Sequence, residues 1–314
     1  MKKIVFAILL TYTLNIVYSQ TIASSSADTT WKKGGGVILN FNQIGLTNWA
    51  AGGENALSSI LLTNLYANYH FGLTTWDNTL NLNYGIITAN NYQSIRKNDD
   101  KIELNSKYGR SAFGKFYYSG LLNFISQFDE GYDYLVDPDA LTPVSNLLAP
   151  GYLTIALGLD YKPNSKFSLF FSPATGKFTF VMDDSIANRT LDGLKGIYGN
   201  DIGQNFRAEF GASLVASLTT NITEDLSEIG KLTLFNNFTN PVAQDRANVD
   251  VSFTNTLNYK LSKYFTASLY LEILYDDDIS ISTYDENDII IGSGPKTQVK
   301  EIFGIGFSYN FGGK

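Results

Sequence analysis

Cysteine is missing from all 314 residues. Its absence removes disulfides, thiolate metal sites and lipid attachment through an N-terminal thiol. Histidine is nearly missing too, with His70 standing alone, which argues against a zinc site. A lipid-cleaving Ser–His pair would need His70 oriented by a third polar group. Between Tyr69 and Phe71 at the end of a run, His70 reads instead as an interfacial residue. Basic residues are in the minority, 23 Lys and Arg against 30 Asp and Glu, so nothing forms the basic stripe that nucleic acid requires. Proline is scarce, at seven residues, while aromatics reach 14%; this is not a disordered composition. After residue 20 no stretch approaches the roughly 18 consecutive apolar residues of a membrane helix. If this chain crosses a membrane, it crosses as strands.

What is present begins with "MKKIVFAILLTYTLNIVYSQT". Lys2 and Lys3 precede an apolar core from Ile4 to Val17, and Val17 and Ser19 are small residues at −3 and −1 of a cut before Gln20. That order is a secretory signal over residues 1–19. Removing it takes the net charge from −7 to −9, two cations fewer. Residues 20–36 then form a periplasmic N-terminal segment and 37–314 the folded domain.

That domain alternates with period two from end to end. Trp76, Leu80, Leu82, Tyr84 and Ile86 share one parity; Thr75, Asp77, Thr79, Asn81 and Asn83 share the other. The same split separates Ile102, Leu104 and Tyr108 from Lys101, Glu103, Asn105 and Lys107, and Phe206, Ala208 and Phe210 from Arg207 and Glu209. Each is a strand with one apolar and one polar face. About twelve such runs occur, near 37–46, 56–71, 75–88, 100–113, 115–128, 151–162, 166–182, 204–221, 230–239, 248–261, 264–276 and 299–311. In the seventh, Pro173 and Gly176 interrupt the pattern, as a bulge in one long strand would.

The connections alternate too. Those after the second, fourth, sixth and tenth runs are tight, "GLT", "GK", "PNS" and "SK", and the one after the eighth is somewhat longer. The others are mostly long and polar, including 129–150, 183–203 and 277–298. Short and long loops in turn over an even number of strands predict an all-β, antiparallel transmembrane β-barrel of about 12 strands in the outer membrane, its short turns in the periplasm. Most runs reach the 9–11 residues that a tilted strand needs to cross. The last, with Phe303, Ile305, Phe307, Tyr309 and Phe311 on one face, suits a lipid-facing surface and its aromatic girdle.

The stretch "FNQIGLTNWAAGGEN" at 41–55 resembles the start of an uncharacterised family of Bacteroidota outer-membrane barrels, domain of unknown function 3078, through Asn48, Trp49, Ala50, Ala51, Gly52, Gly53 and Glu54. "APGYLTIALGLDYKPN" at 149–164, "LFFSPATGKFTFVMDD" at 169–184 and "FRAEFGA" at 206–212 are also similar to that family. The resemblance implies an outer-membrane location in a Gram-negative cell and no particular activity. Gly52 and Gly53 are then turn residues of the first external loop, with Trp49 as its anchor at the upper interface. A phosphate-cradling loop would lead into a helix, whereas "NALSSILLTNLYANYHF" is another strand.

No catalytic constellation, cofactor-binding pattern or metal-ligand spacing emerges. Carboxylates gather in the expected external loops, at Asp99 and Asp100, Asp129 and Glu130, Asp183 and Asp184, Asp276 to Asp278, and Asp285, Glu286 and Asp288. Divalent cations suit such oxygen ligands, but no segment has the spacing of a calcium loop, and a solvated acidic surface is the simpler reading. The inward parity is more informative. With the first strand running outward, Lys101, Glu103, Arg207, Glu209, Asp250, Glu272 and Lys300 fall at similar heights inside. Twelve strands give a backbone radius of roughly 12 Å, within reach of opposing long side chains. Mixed signs predict an ion-paired layer constricting the lumen; a like-charged ring would suggest ion selection. The expected function is a narrow pore or binder for a small solute. A closed structural barrel acting through its loops is the alternative, and an outer-membrane lipid enzyme is the least supported. The expected partners are outer-membrane lipid and that solute.

Overall fold

A strand whose side chains alternate in character buries one face only, and twelve of them have one arrangement that leaves no edge: closure on themselves. The computed structural model describes residues 31–46, 55–89, 95–134, 141–191, 193–284 and 290–312. They lie within one unit, Trp31–Lys314. Long strands follow in sequence: β1 (Trp31–Ile44), β2 (Ala56–Phe71), β3 (Thr74–Ala89), β4 (Arg96–Ser111) and β5 (Phe116–Ser126). After a loop ribbon of β6 (Gly131–Tyr132) and β7 (Pro143–Ser145) come β8 (Gly151–Tyr161), β9 (Phe167–Phe180), β10 (Phe206–Asn221), β11 (Leu226–Asn237), β12 (Asp250–Lys260) and β13 (Phe265–Tyr275). A second ribbon, β14 (Ser280–Tyr284) with β15 (Ile290–Pro295), precedes the last strand, β16 (Gln298–Gly312). The twelve long strands form a closed antiparallel barrel in the order β1-β16-β13-β12-β11-β10-β9-β8-β5-β4-β3-β2.

The loops sort as the sequence predicts. Gly72 and Leu73 alone join β2 to β3, and residues 112–115, 162–166, 222–225 and 261–264 make the other turns at that end. The opposite end carries 127–150, 181–205, 238–249 and 276–297. One connection is tighter than its sequence suggests. β11 begins at Leu226 rather than near 230, because Thr223 Oγ1 accepts from the Leu226 N–H at 2.9 Å and closes the turn.

The start of the barrel needs correction as well. Residues 31–36, placed ahead of the barrel by the sequence reading, belong to β1. Gly34, Gly35 and Gly36 carry no side chains, so they show no alternation, yet they pair with Gly312, Phe311 and Asn310 of β16 and close the ring. Glycine is required here. A Cβ on Gly34 would collide with the Phe311 carbonyl and the Tyr66 hydroxyl at 2.6 Å, and one on Gly306 with Asn40 and the Leu39 carbonyl. The seam is short, running from Gly34–Gly312 to Asn40–Gly306.

The interruption in β9 is a bulge. Ser213 faces Ser172 and Gly211 faces Thr175, so β9 holds one residue more than its neighbour; β8 shows the same shift between Leu157 and Leu159. Pro173 lacks an N–H to give the ladder. Ser172 Oγ instead donates to the Leu157 carbonyl at 2.8 Å. The extra residue reverses parity: Ser168 and Phe170 point inward before it, Thr175 and Lys177 after it.

At the long-loop end, Ala149, Val181, Ile186 and Ala187 are fully buried together, with Ile197 and Tyr198 packed on them. Asp183 caps the helical turn Asp184–Ala187 in this cluster. The loops 127–150 and 181–205 therefore have a core of their own.

Candidate functional site

Five successive inward positions of β4 carry polar side chains, and each has a partner beyond its own strand. Asp99 Oδ1 accepts from Lys300 Nζ at 2.5 Å. Lys101 Nζ lies 3.0 Å from Glu272 Oε1, on β13, five strands around the ring. Glu103 Oε1 accepts from Lys231 Nζ at 2.9 Å, on β11, five strands the other way. Asn105 Oδ1 takes a second bond from Lys231, also 2.9 Å. Lys107 Nζ pairs with Asp160 Oδ2 of β8 at 2.7 Å. In a ring of twelve, five strands is nearly the full diameter, so Lys101–Glu272 and Lys231–Glu103 cross the lumen.

A second cluster gathers on β9 and β10. Lys177 Nζ sits 2.8 Å from Asp250 Oδ2, 2.9 Å from Asp276 Oδ2 and 4.0 Å from Glu209 Oε2, and lies over the Phe235 ring. Arg207 bridges Glu209 Oε1 at 2.9 Å and Asp278. Gly199 is pressed on this pair: its φ is +74°, and a Cβ there would strike Arg207 and Asp278. The loop 181–205 thus touches the charged cluster from above. Nearer the turns, Lys162 Nζ reaches Asp77 Oδ2 at 2.7 Å and Asp160 Oδ2 at 3.6 Å.

Such groups are taken out of water only because they are paired. Glu103 is 8% exposed, Glu209 4% and Asp160 0%. An isolated carboxylate in such surroundings would cost several kcal/mol. Fixed cross-wall pairs hold the barrel's girth and occupy the space through which a solute would pass.

All seven residues singled out in the sequence point inward into these clusters. Lys101, Glu103 and Glu272 share one network, Lys300 pairs separately with Asp99, and Arg207, Glu209 and Asp250 belong to the other. Lys177, Lys231, Asp160, Asp276 and Asp278 escape the sequence reading. Lys177 is hidden by the bulge, and the two aspartates stand where an external loop is expected. Lys231 lies one residue into a run judged to start at 230. Trp49, Gly52 and Gly53 lie outside the described residues, as do Asp285, Glu286 and Asp288. His70 is exposed at the turn end of β2. Several loop carboxylates have protein partners: Asp100 accepts from the backbone of Phe128 and Asp129, and Asp277 from Asn248. Among the described residues no group of three His, Cys, Asp or Glu side chains is arranged to hold a metal.

Residues 41–132 match the family described as "Protein of unknown function (DUF3078)". No curated protein matches the chain. Among solved structures it is similar to the translocator domain of autotransporter NalP from Neisseria meningitidis, with 10% identity, a TM-score of 0.35, and 99% of this chain and 98% of that one covered. It is also similar to an outer membrane channel from Pseudomonas putida F1, with 11% identity, a TM-score of 0.39, and 92% and 100% covered. A further similarity is to the outer membrane channel DcaP of Acinetobacter baumannii, at 10% identity, a TM-score of 0.29, and 92% and 100% covered.

Proposed function

We propose that this chain is an outer-membrane β-barrel, delivered by its leader at residues 1–19, whose ion-paired lumen makes it a narrow pore or binder for a small polar solute rather than an enzyme. The resemblance at 48–54 points to a Gram-negative cell of the Bacteroidota. Support for the membrane comes from the outer wall. Leu157, Phe171, Phe303 and Ile305 are each half exposed or more, and an apolar belt of that extent would aggregate in water. Aromatic side chains ring it at both ends, with Trp76, Tyr108, Tyr118 and Tyr264 near the turns and Tyr84, Phe128, Phe206 and Phe238 near the loops. That is the surface a bilayer requires, and closure satisfies the backbone within it.

The crossing pairs Lys101–Glu272 and Lys231–Glu103 carry the functional reading. They narrow the lumen without closing it by backbone, so what passes must be small and able to replace hydrogen bonds. A second reading, a closed barrel that acts through its loops, is favoured by the buried cluster of Ala149, Val181, Ile186 and Ala187. Planar-bilayer recording separates the two. Small, discrete conductance supports the pore, whereas a silent barrel whose loops capture a partner supports the second reading.

A further inference from the structure

The outer wall is indented where β9 bulges. A groove of about 550 Å³ opens there, lined by Tyr108, Arg110, Tyr118, Leu157, Phe171 and Pro173. Its floor is unfilled because Gly120 faces outward opposite Tyr108, and a Cβ on it would meet only Leu157 Cδ2, at 3.4 Å. All the walls named are apolar or aromatic except Arg110. That residue is the next to last of β4, at the turn end. It is exposed, and among the described residues its guanidinium has neither an ion pair nor a side-chain hydrogen bond.

Depth is marked independently on the same outward face. Two and four positions above Arg110 along β4 stand Tyr108 and Ser106. Ser106 Oγ donates to Asn78 Oδ1 at 2.8 Å and accepts from Trp76 Nε1 at 2.9 Å. Polar side chains and an indole N–H on an outward face belong at the headgroup level, not in hydrocarbon. An unpaired cation at that level, at the mouth of an apolar slot, matches one chemistry: an anionic head on an acyl chain.

We propose that the groove holds one phospholipid of the periplasmic leaflet, its phosphate against Arg110 between the Tyr108 and Tyr118 rings and an acyl chain over Gly120 along Leu157, Phe171 and Pro173. This rests on the membrane reading above. The lipid fills the indentation that the Pro173 bulge creates, and the bulge is needed to turn Lys177 inward. The groove is thus the outer counterpart of the lumen charge cluster.

The test uses the mature chain refolded in detergent, with native mass spectrometry during titration with dioleoylphosphatidylglycerol. The wild type should keep one lipid per barrel, and Arg110→Gln should weaken its retention about fivefold. Gly120→Phe, whose Cβ meets only Leu157 and at 3.4 Å, should fill the slot and remove it, and Arg110→Lys should retain most of it. Folding of each variant is checked by heat-modified gel mobility. Equal retention in the wild type, Arg110→Gln and Gly120→Phe overturns the proposal, as does displacement of the lipid by inorganic phosphate alone. Flotation with vesicles keeps the two claims apart. A wild type that does not float defeats the membrane reading, while one that floats with unaltered lipid retention in the variants defeats only the groove.

Discussion

Lys231 on β11 reaches across the barrel to Glu103 on β4, its Nζ 2.9 Å from Oε1, and the same ammonium binds Asn105 Oδ1 at 2.9 Å. Lys101 approaches the other oxygen of Glu103 at 3.6 Å. Glu103 is therefore the junction of two cations from opposite walls. Glu103→Ala leaves both short of a partner, and stability should fall by about 3 kcal/mol, the low end for a broken buried pair because water can enter the lumen. Glu103→Ala with Lys231→Ala should recover part of that loss. Urea midpoints followed by gel mobility measure both alongside Lys231→Ala alone; a double variant whose loss equals the sum of the two single losses would mean the pair is not coupled.

The outward face can be tested one residue away. Leu104 is 38% exposed on the outer wall, and Leu104→Arg should cost about 1–2 kcal/mol, less than the roughly 2–4 kcal/mol of a midplane arginine because the interfacial Ser106 stands only two positions away. Leu104→Phe should be nearly neutral. From sequence alone, Asn105→Arg looks mild because Asn105 faces inward. The structure reverses that expectation, since a second cation would stand against Lys231 in place of its acceptor. Both arginine variants should refold poorly, but only Asn105→Arg should improve when combined with Lys231→Ala.

The loop core depends on pH through Asp183. Its Oδ1 accepts from the Ser185 hydroxyl at 2.6 Å and the Ser185 N–H at 2.9 Å, and its Oδ2 accepts from Asn146 at 3.3 Å. The Ser185 hydroxyl above all holds this carboxyl below its ordinary range. A depressed folded pKa contributes stability that is present above the unfolded value, near pH 4, and lost as pH falls through the folded one. Amide exchange at Ser185–Arg189, corrected for intrinsic rates, should be flat from neutrality to about pH 5 and accelerate below about pH 4. Asp183→Asn should abolish the acid limb; an identical limb in that variant would assign the effect elsewhere.

Orientation is readable with trypsin on intact cells. Lys195 is 47% exposed in the loop 181–205, whereas Arg189 Nη1 is tied to the Thr142 and Pro143 carbonyls at 3.3 and 3.1 Å. Cleavage should fall after Lys195, spare Arg189, and leave Lys115 and Lys263 in the tight turns intact until the outer membrane is opened. Cutting at Lys115 and Lys263 in intact cells with Lys195 spared would invert the topology.

The strands were legible because period-two alternation is a local property: Leu80, Leu82 and Tyr84 declare their face without knowing their neighbours. Turn length is local too, so the sorting of loops was also visible. What failed was non-local. Gly34–Gly36 have no side chains to alternate, and only their pairing with Asn310–Gly312 makes them a strand. Lys177 faces inward only because one extra residue at Pro173 reverses parity. The identity of each ion pair depends on stagger between strands far apart in sequence. Sequence could therefore set Arg207 and Glu209 inside but could not show that Asp278, from beyond β13, would come back to meet them.

The central claim is that crossing ion pairs set the width of the lumen, and conductance of the refolded barrel in a planar bilayer tests it most directly. Wild type should show a small, discrete conductance, and Glu103→Ala with Lys231→Ala, which removes one crossing pair without leaving its charges alone, should conduct several times more. A wild-type barrel with a large, steady conductance that this double variant leaves unchanged would contradict the account.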